Sequence, residues 1–228
     1  AFSTPDFFGM VHKPIKLGDV WKIPKAVEAL DKEWKKLDDL PAWDIHKVQP
    51  RAKVKQRAKD TGKTIHFGAL MQLMHLKNYE LEAIYQAYKA RIVFRGDDVK
   101  DEEGAYAVFS EQGTSASYMT ATKFLDVIAR APGNKGEDAD ATSAYTQILL
   151  SLAHEILGTD VLPETWISLP KNKQPASWAG IEDPVCPLLR NLYGHPLAGL
   201  LWDKGSQRLI QKAGFEKVQG WESLYVHK

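Results

Sequence analysis

Cys186 is the only cysteine in the 228 residues of this chain. A lone thiol excludes an internal disulfide and argues against a structural zinc site, which needs several Cys or His ligands at regular spacing. A reducing, intracellular setting (cytoplasmic or nuclear) is therefore expected. Long apolar runs are also missing. Nothing approaches the roughly 20 apolar residues that span a bilayer, so no membrane partner is expected. Residues 1–14 lack the charged-then-apolar order of a secretory signal. No Gly-rich phosphate loop is present: Thr61-Gly62-Lys63-Thr64 mimics the end of one, but Arg57 stands where the motif needs Gly. His154-Glu155 lacks the second His of a zinc-protease helix, and there is no Gly-x-Ser-x-Gly elbow. No internal repeat or low-complexity tract appears.

What remains is an ordinary globular composition, 44% hydrophobic and 26% charged, long enough to bury a core as one large domain or two small lobes. The net charge is only +1, but the charge is unevenly placed. Residues 46–63 hold seven Lys or Arg (Lys47, Arg51, Lys53, Lys55, Arg57, Lys59, Lys63) against one acid, Asp60. Such a run is either a solvated helix face or loop, or a contact with phosphate backbone, where each cation releases condensed counterions. Trp21, Trp43, Trp166, Trp178 and Trp221 are scattered and read as packing.

Hydrophobic spacing predicts a clear amphipathic helix in residues 19–40, with Val27, Leu30, Trp34 and Leu37 on one face, Pro24 at its entry and Pro41 at its exit. Residues 42–48 read as a short strand and the basic stretch as a helix or loop. Residues 86–95 alternate as a strand, with Ala87, Lys89 and Arg91 on one face and Tyr88, Ala90 and Ile92 on the other. Residues 98–104 form an acidic loop. A helix is expected in 114–130 with Met119, Phe124, Val127 and Ile128 facing in, and a mostly apolar one in 149–157 closed by Gly158. Residues 171–184 read as loop. A core helix is expected in 196–212, carrying Leu201, Trp202, Leu209 and Ile210, with Gly214 as its C-cap. Residues 222–227 read as a final strand with no partner left in the sequence.

Four segments occur in a fixed order: YKARIVFRGDD (88–98), DADATSAYTQ (138–147), VCPLLRNLYGHPLAGLLW (185–202) and AGFEKVQGWESLYV (213–226). Together they resemble the reverse transcriptase of copia-type retrotransposons, which has a Lys-Ala-Arg strand, an Asp-x-x-x-Ala-aromatic strand end, a Leu-Tyr-Gly turn before a Trp-bearing helix, and a Gly-Phe turn. The resemblance covers roughly residues 26–228 and is clearest after Tyr88. It implies an α+β polymerase right-hand fold, fingers plus a partial palm with an antiparallel sheet: residues 1–25 an N-terminal extension, 26–130 fingers-like, 131–228 partial palm. The chain begins without Met and stops at Lys228, where the family's Tyr-x-Asp-Asp hairpin should begin, so it reads as cut from something longer.

By resemblance, Asp140 is the first catalytic, metal-holding carboxylate, with the carbonyl of Ala141 completing its ligand edge. Asp138 lies on the same side of a strand, but the Ala144-Tyr145 spacing favours Asp140; a strand-end carboxylate or helix N-cap is the alternative for it. Two-metal polymerisation wants hard oxygen ligands, and Mg2+ is the implied ion. Lys89 and Arg91, with Arg95 as a weaker third, would clamp a triphosphate, and Tyr145 would exclude a ribose 2′ hydroxyl. Asp140 is expected at a strand end facing the Lys89/Arg91 face. Tyr193 and Gly194 form the turn bordering the nucleic acid, and Arg51, Lys53, Lys55 and Arg57 are the backbone-contacting cations. Three residues after Gly194 the family has Gln, whereas here Leu197 stands and cannot make an amide's contacts. Expected partners are an RNA or DNA template-primer and deoxynucleoside triphosphates, plus self-association or a protein partner at the C-terminal strand. A reading of another class stays open: a retroelement-derived, non-enzymatic structural or nucleic-acid-binding subunit.

Overall fold

The computed structural model describes residues 11–109, 119–137, 139–160 and 162–227. They form two compact units: the described residues of Ala1–Tyr106 with Glu164–Leu188, and those of Ala107–Pro163 with Leu189–Lys228. The division differs from the expected boundaries because the chain returns to the first unit after residue 163. The α+β class is observed, and no helix among the described residues is long and apolar enough to cross a membrane.

The first unit runs β1 (His12–Ile15), α1 (Leu17–Val20), α2 (Pro24–Asp39), β2 (Gln49–Pro50), α3 (Arg51–Thr61), β3 (Ile65–Lys77), β4 (Ala87–Phe94), β5 (Glu164–Ser168) and β6 (Pro184–Pro187). One six-stranded sheet has the order β1-β3-β5-β6-β2, with β4 also on β3. It is mixed: β3 and β5 are parallel, and every other pair is antiparallel. The helix α2 begins with Pro in its first turn and buries Ala26, Leu30, Trp34 and Leu37, as its spacing predicts, except that Ala26 replaces Val27 on the buried stripe. The Trp34 ring meets Trp43 edge-on at 5.6 Å. Residues 42–48 are not a strand. Trp43 makes one isolated bridge to Leu188, and Asp44 accepts from the His46 N–H to start a 3-10 turn, Ile45–Lys47. That side-chain acceptor offers the backbone a turn in place of a ladder.

Under α3, the residues Val54, Ala58, Ile65, Phe67, Trp166 and Val185 form a core cluster. Cys186 sits in β6 with no exposure, and burial plus the nearby Asp44 carboxylate push its thiol up to about 12. It is a packing residue that stays protonated.

The second unit holds α4 (Met119–Ala129), α5 (Ala153–Leu157), α6 (Ala198–Lys212), β7 (Phe215–Lys217) and β8 (Tyr225–His227). Its core joins Ile148, Ala153, Leu197, Leu200 and Leu201, with Ile156 and Trp202 packed against it. Several expectations are corrected here. The apolar face of α4 does not turn in: Met119 is 73% and Val127 70% exposed, and only Ala121 is buried. Leu209 of α6 is 62% exposed, because the buried stripe runs through Ala198, Leu201 and Gly205, where Ile148 approaches too closely for a Cβ. Residues 150–157 split into a 3-10 turn and the short α5, closed at Gly158 in the left-handed region. The final strand is not partnerless: β8 pairs antiparallel with β7, Phe215 opposite His227 and Lys217 opposite Tyr225. β7 escaped notice because three exposed residues carry no alternation. It folds back after Gly214, whose positive φ follows the last turn of α6. In place of the expected partial palm sheet, the described residues of this unit show a two-stranded ribbon.

Candidate functional site

The segment expected to carry a strand-end carboxylate folds as a chain of turns. Residues 139–141 are non-regular and exposed, so Asp140 is neither at the end of a strand nor an N-cap, and Asp138 lies outside the described residues. The reason is local. The Thr146 hydroxyl donates to the Ser143 carbonyl at 2.9 Å, and Gln147 Nε2 donates to the Thr142 carbonyl at 2.9 Å. Side chains thereby take the backbone partners a ladder would need. Ser143 is left in the left-handed region at φ 55°, and a 3-10 turn, Ala144–Gln147, follows. A non-glycine residue there costs on the order of 1 kcal/mol, a strain that concentrates at functional positions.

This turn is fastened to the segment before α6. The Asn191 N–H donates to the Ile148 carbonyl, the Leu150 N–H donates to the Leu189 carbonyl, both at 2.9 Å, and Leu149 bridges Arg190. Arg190 Nη1 adds a 3.1 Å bond to the Thr146 carbonyl. As a result the half-buried Tyr145 ring lies 4.5 Å from the Tyr193 ring, tilted by 42°. Gly194 follows at φ 85°, a turn closed by the His195 N–H on the Leu192 carbonyl at 3.1 Å. Two segments 48 positions apart (145 to 193) are thus joined at their aromatic residues. Buried His195 accepts from the Leu197 N–H through Nδ1, and Leu197 is core, not an open pocket wall.

Sequence reasoning passed over Arg190, Ser143 and Asn191. Arg190 lies in the quoted Tyr-Gly segment, so its basic side chain three residues before Tyr193 was a visible signal; Asn191 is fully buried, its Nδ2 bonded to the Ala198 carbonyl and its Oδ1 unpartnered. Ser143 carried none, since its strain exists only in the folded backbone.

Asp140 and the Ala141 carbonyl supply the expected metal edge with at most a few oxygens. Among the described residues no group of three or more His, Cys, Asp or Glu could hold a metal ion. A pair of magnesium ions needs at least two carboxylates, so the described donors do not fit the two-metal site.

In the first unit, Lys89 and Arg91 do share a face of β4, opposite the buried Ala90, Ile92 and Phe94. Lys89 is exposed, and Arg91 Nη1 lies 4.0 Å from Glu33 Oε1. Arg95 donates to Asp97 at 3.1 Å, and this hydrogen bond holds the Asp97 carboxyl below its ordinary value.

The basic stretch becomes α3, and its cations divide into two kinds. Arg51 donates to Asp183 Oδ2 and Ser168 Oγ at 2.6 Å each and lies 5.1 Å from the Phe67 ring centre. Arg57 donates to Glu164 Oε2 at 2.7 Å and covers the Trp166 ring at 5.2 Å. Both arginines are structural fasteners. Lys53 is exposed, and Lys55 is half-buried with its Nζ over the Phe67 ring, 6.0 Å from the ring centre. Of the four cations expected to contact nucleic acid, Lys53 and Lys55 are the two without an ion pair among the described residues. Each phosphate contact adds roughly 0.7–0.9 to the slope of log affinity against log salt. In fluorescence anisotropy with a labelled single-stranded RNA, a Lys53→Gln/Lys55→Gln chain is expected to lose about 1.5 of that slope. An unchanged slope returns α3 to a solvated face.

No protein-family model, curated protein or solved structure matches this chain.

Proposed function

We propose that this chain is the fingers and first part of the palm of a copia-type, RNA-directed DNA polymerase. By itself it holds nucleotide and template-primer without performing nucleotidyl transfer. The observation that carries the reading is the Tyr145–Tyr193 contact: the segments whose resemblance points to the nucleotide pocket meet at those two aromatic residues. Lys89 and Arg91, side by side on one strand face, support it as a clamp in which Arg supplies a planar fork and Lys a mobile charge. On this reading Tyr145 lies beneath the incoming sugar, and the partners are a template-primer and deoxynucleoside triphosphates inside the cell. Magnesium belongs to the intact family enzyme; Asp140 is its one candidate carboxylate among these residues.

The non-enzymatic, nucleic-acid-binding reading is favoured by two observations. Leu197 occupies a core position where the family has a polar amide, and no metal-holding cluster occurs among the described residues. Calorimetric titration of the chain with dTTP, in the presence of a primer–template hybrid, separates the two. The polymerase reading expects saturable binding that weakens about tenfold in Lys89→Gln and again in Arg91→Gln. Hybrid binding with no response to dTTP favours the non-enzymatic subunit.

A further inference from the structure

The first unit contains an open cavity of about 790 Å³ lined by Leu17, Trp21, Gln72, Arg95, Leu169 and Pro170 among others. That size is in the range of small-ligand and peptide pockets, about 300–1,000 Å³. It lies at a break in the sheet. Along one edge of β3, residues 65–69 are covered by β5 and residues 74–77 by β1, while residues 70–73 have no strand beside them among the described residues. Backbone groups of successive strand residues point to opposite edges. Ala69 gives its carbonyl to the Arg95 N–H on the β4 side, so Gln72, three positions on, turns its own N–H and C=O to the opposite edge, into the gap.

The side chain of the same residue adds an independent observation. Gln72 is 8% exposed, and neither its Nε2 nor its Oε1 has a partner among the described residues. A buried amide left without partners bears the full desolvation cost of both groups, so it marks a place where a complementary donor and acceptor are missing. Among the same lining residues, Trp21 is 48% and Leu17 42% exposed, two large apolar side chains open to solvent.

We propose that this gap is a docking site for a short extended peptide segment of a partner protein. Its backbone would pair with the Gln72 edge of β3, and an apolar side chain would rest on Trp21 and Leu17. A planar heterocycle could satisfy the Gln72 side chain alone. Only an extended backbone also matches the main-chain N–H and C=O beside it, the pairing used in strand addition. The four uncovered residues at roughly 3.3 Å each give length for about four residues, with Leu70 and Gln72 turning their backbone groups to the gap.

The test uses the whole chain, labelled with 15N, and an equimolar set of acetyl-Thr-X-X-Thr-amide tetrapeptides with X being Val, Leu, Ile or Phe. Saturable shifts of the Trp21 indole and Gln72 side-chain amide signals are expected. Binding should weaken at least tenfold in Gln72→Leu, and disappear when the central peptide nitrogens are methylated. Gln72→Leu should keep the thermal midpoint at or above that of the parent, because it removes an unpartnered amide, so a loss of binding cannot be ascribed to unfolding. No shift with the peptides, equal binding of the methylated set, or the same signals answering to adenosine instead would each overturn the proposal.

Discussion

Mixed with a primer–template hybrid, all four deoxynucleoside triphosphates and Mg2+ or Mn2+, the 228-residue chain is expected to extend no primer. Asp140→Asn should change nothing in that assay. The argument is one of ligands. Two-metal transfer places one ion at the attacking hydroxyl and another at the leaving group. The described residues offer Asp140 and the Ala141 carbonyl in exposed, non-regular backbone, with no cluster of three donors. Losing a catalytic ion costs on the order of several kcal/mol of transition-state stabilisation, and each 1.36 kcal/mol is about tenfold in rate. Extension that vanishes in Asp140→Asn would show that a working site assembles from this chain alone.

The largest stability effect is expected at Trp166. Its side chain is 2% exposed in the cluster beneath α3. Glu164 Oε2 accepts from both Trp166 Nε1 at 2.9 Å and Arg57 at 2.7 Å, while Arg57 covers the indole face. Trp166→Ala empties an indole-sized volume between β3, β5 and α3 and should cost about 3–5 kcal/mol in urea unfolding. Arg57→Gln leaves the core intact, removes a partly exposed ion pair and a ring contact, and should cost only about 1–2 kcal/mol. Equal losses in the two variants would mean that the arginine, not the packing, fastens α3.

Elements with a single buried face were legible. Leu30, Trp34 and Leu37 reported α2 through their 3.6-residue spacing, and the alternation of Lys89 and Arg91 with Ala90 and Ile92 reported β4 and its polar face. β3, the longest of the described strands, was not legible. Residues 65–68 are buried on both faces, so its start shows no period of two. The apolar residues of α4 misled because amphipathic spacing reports a capacity to bury, and nothing among the described residues covers Met119 or Val127. At the site, the Tyr145–Tyr193 contact was not legible, because it follows from the backbone bonds that join residues 148–150 to 189–191. Neither was the turn at Ser143, because it depends on Thr146 and Gln147 capturing carbonyls that a strand would have used. The divided roles of α3 were hidden for a similar reason: partners for Arg51 and Arg57 come from Asp183 and Glu164, more than 100 residues away (|i−j| 132 and 107).

The central claim is that Tyr145 and Tyr193 border a deoxynucleotide pocket, and ring-labelled tyrosine NMR tests it most directly. The chain, saturated with primer–template hybrid in Mg2+, is titrated separately with dATP and ATP. The account predicts that the Tyr145 and Tyr193 ring signals move with dATP at a concentration at least tenfold lower than with ATP, and that Tyr145→Ala abolishes the preference. Ring signals that ignore both nucleotides, or that answer to dATP and ATP alike, would contradict it.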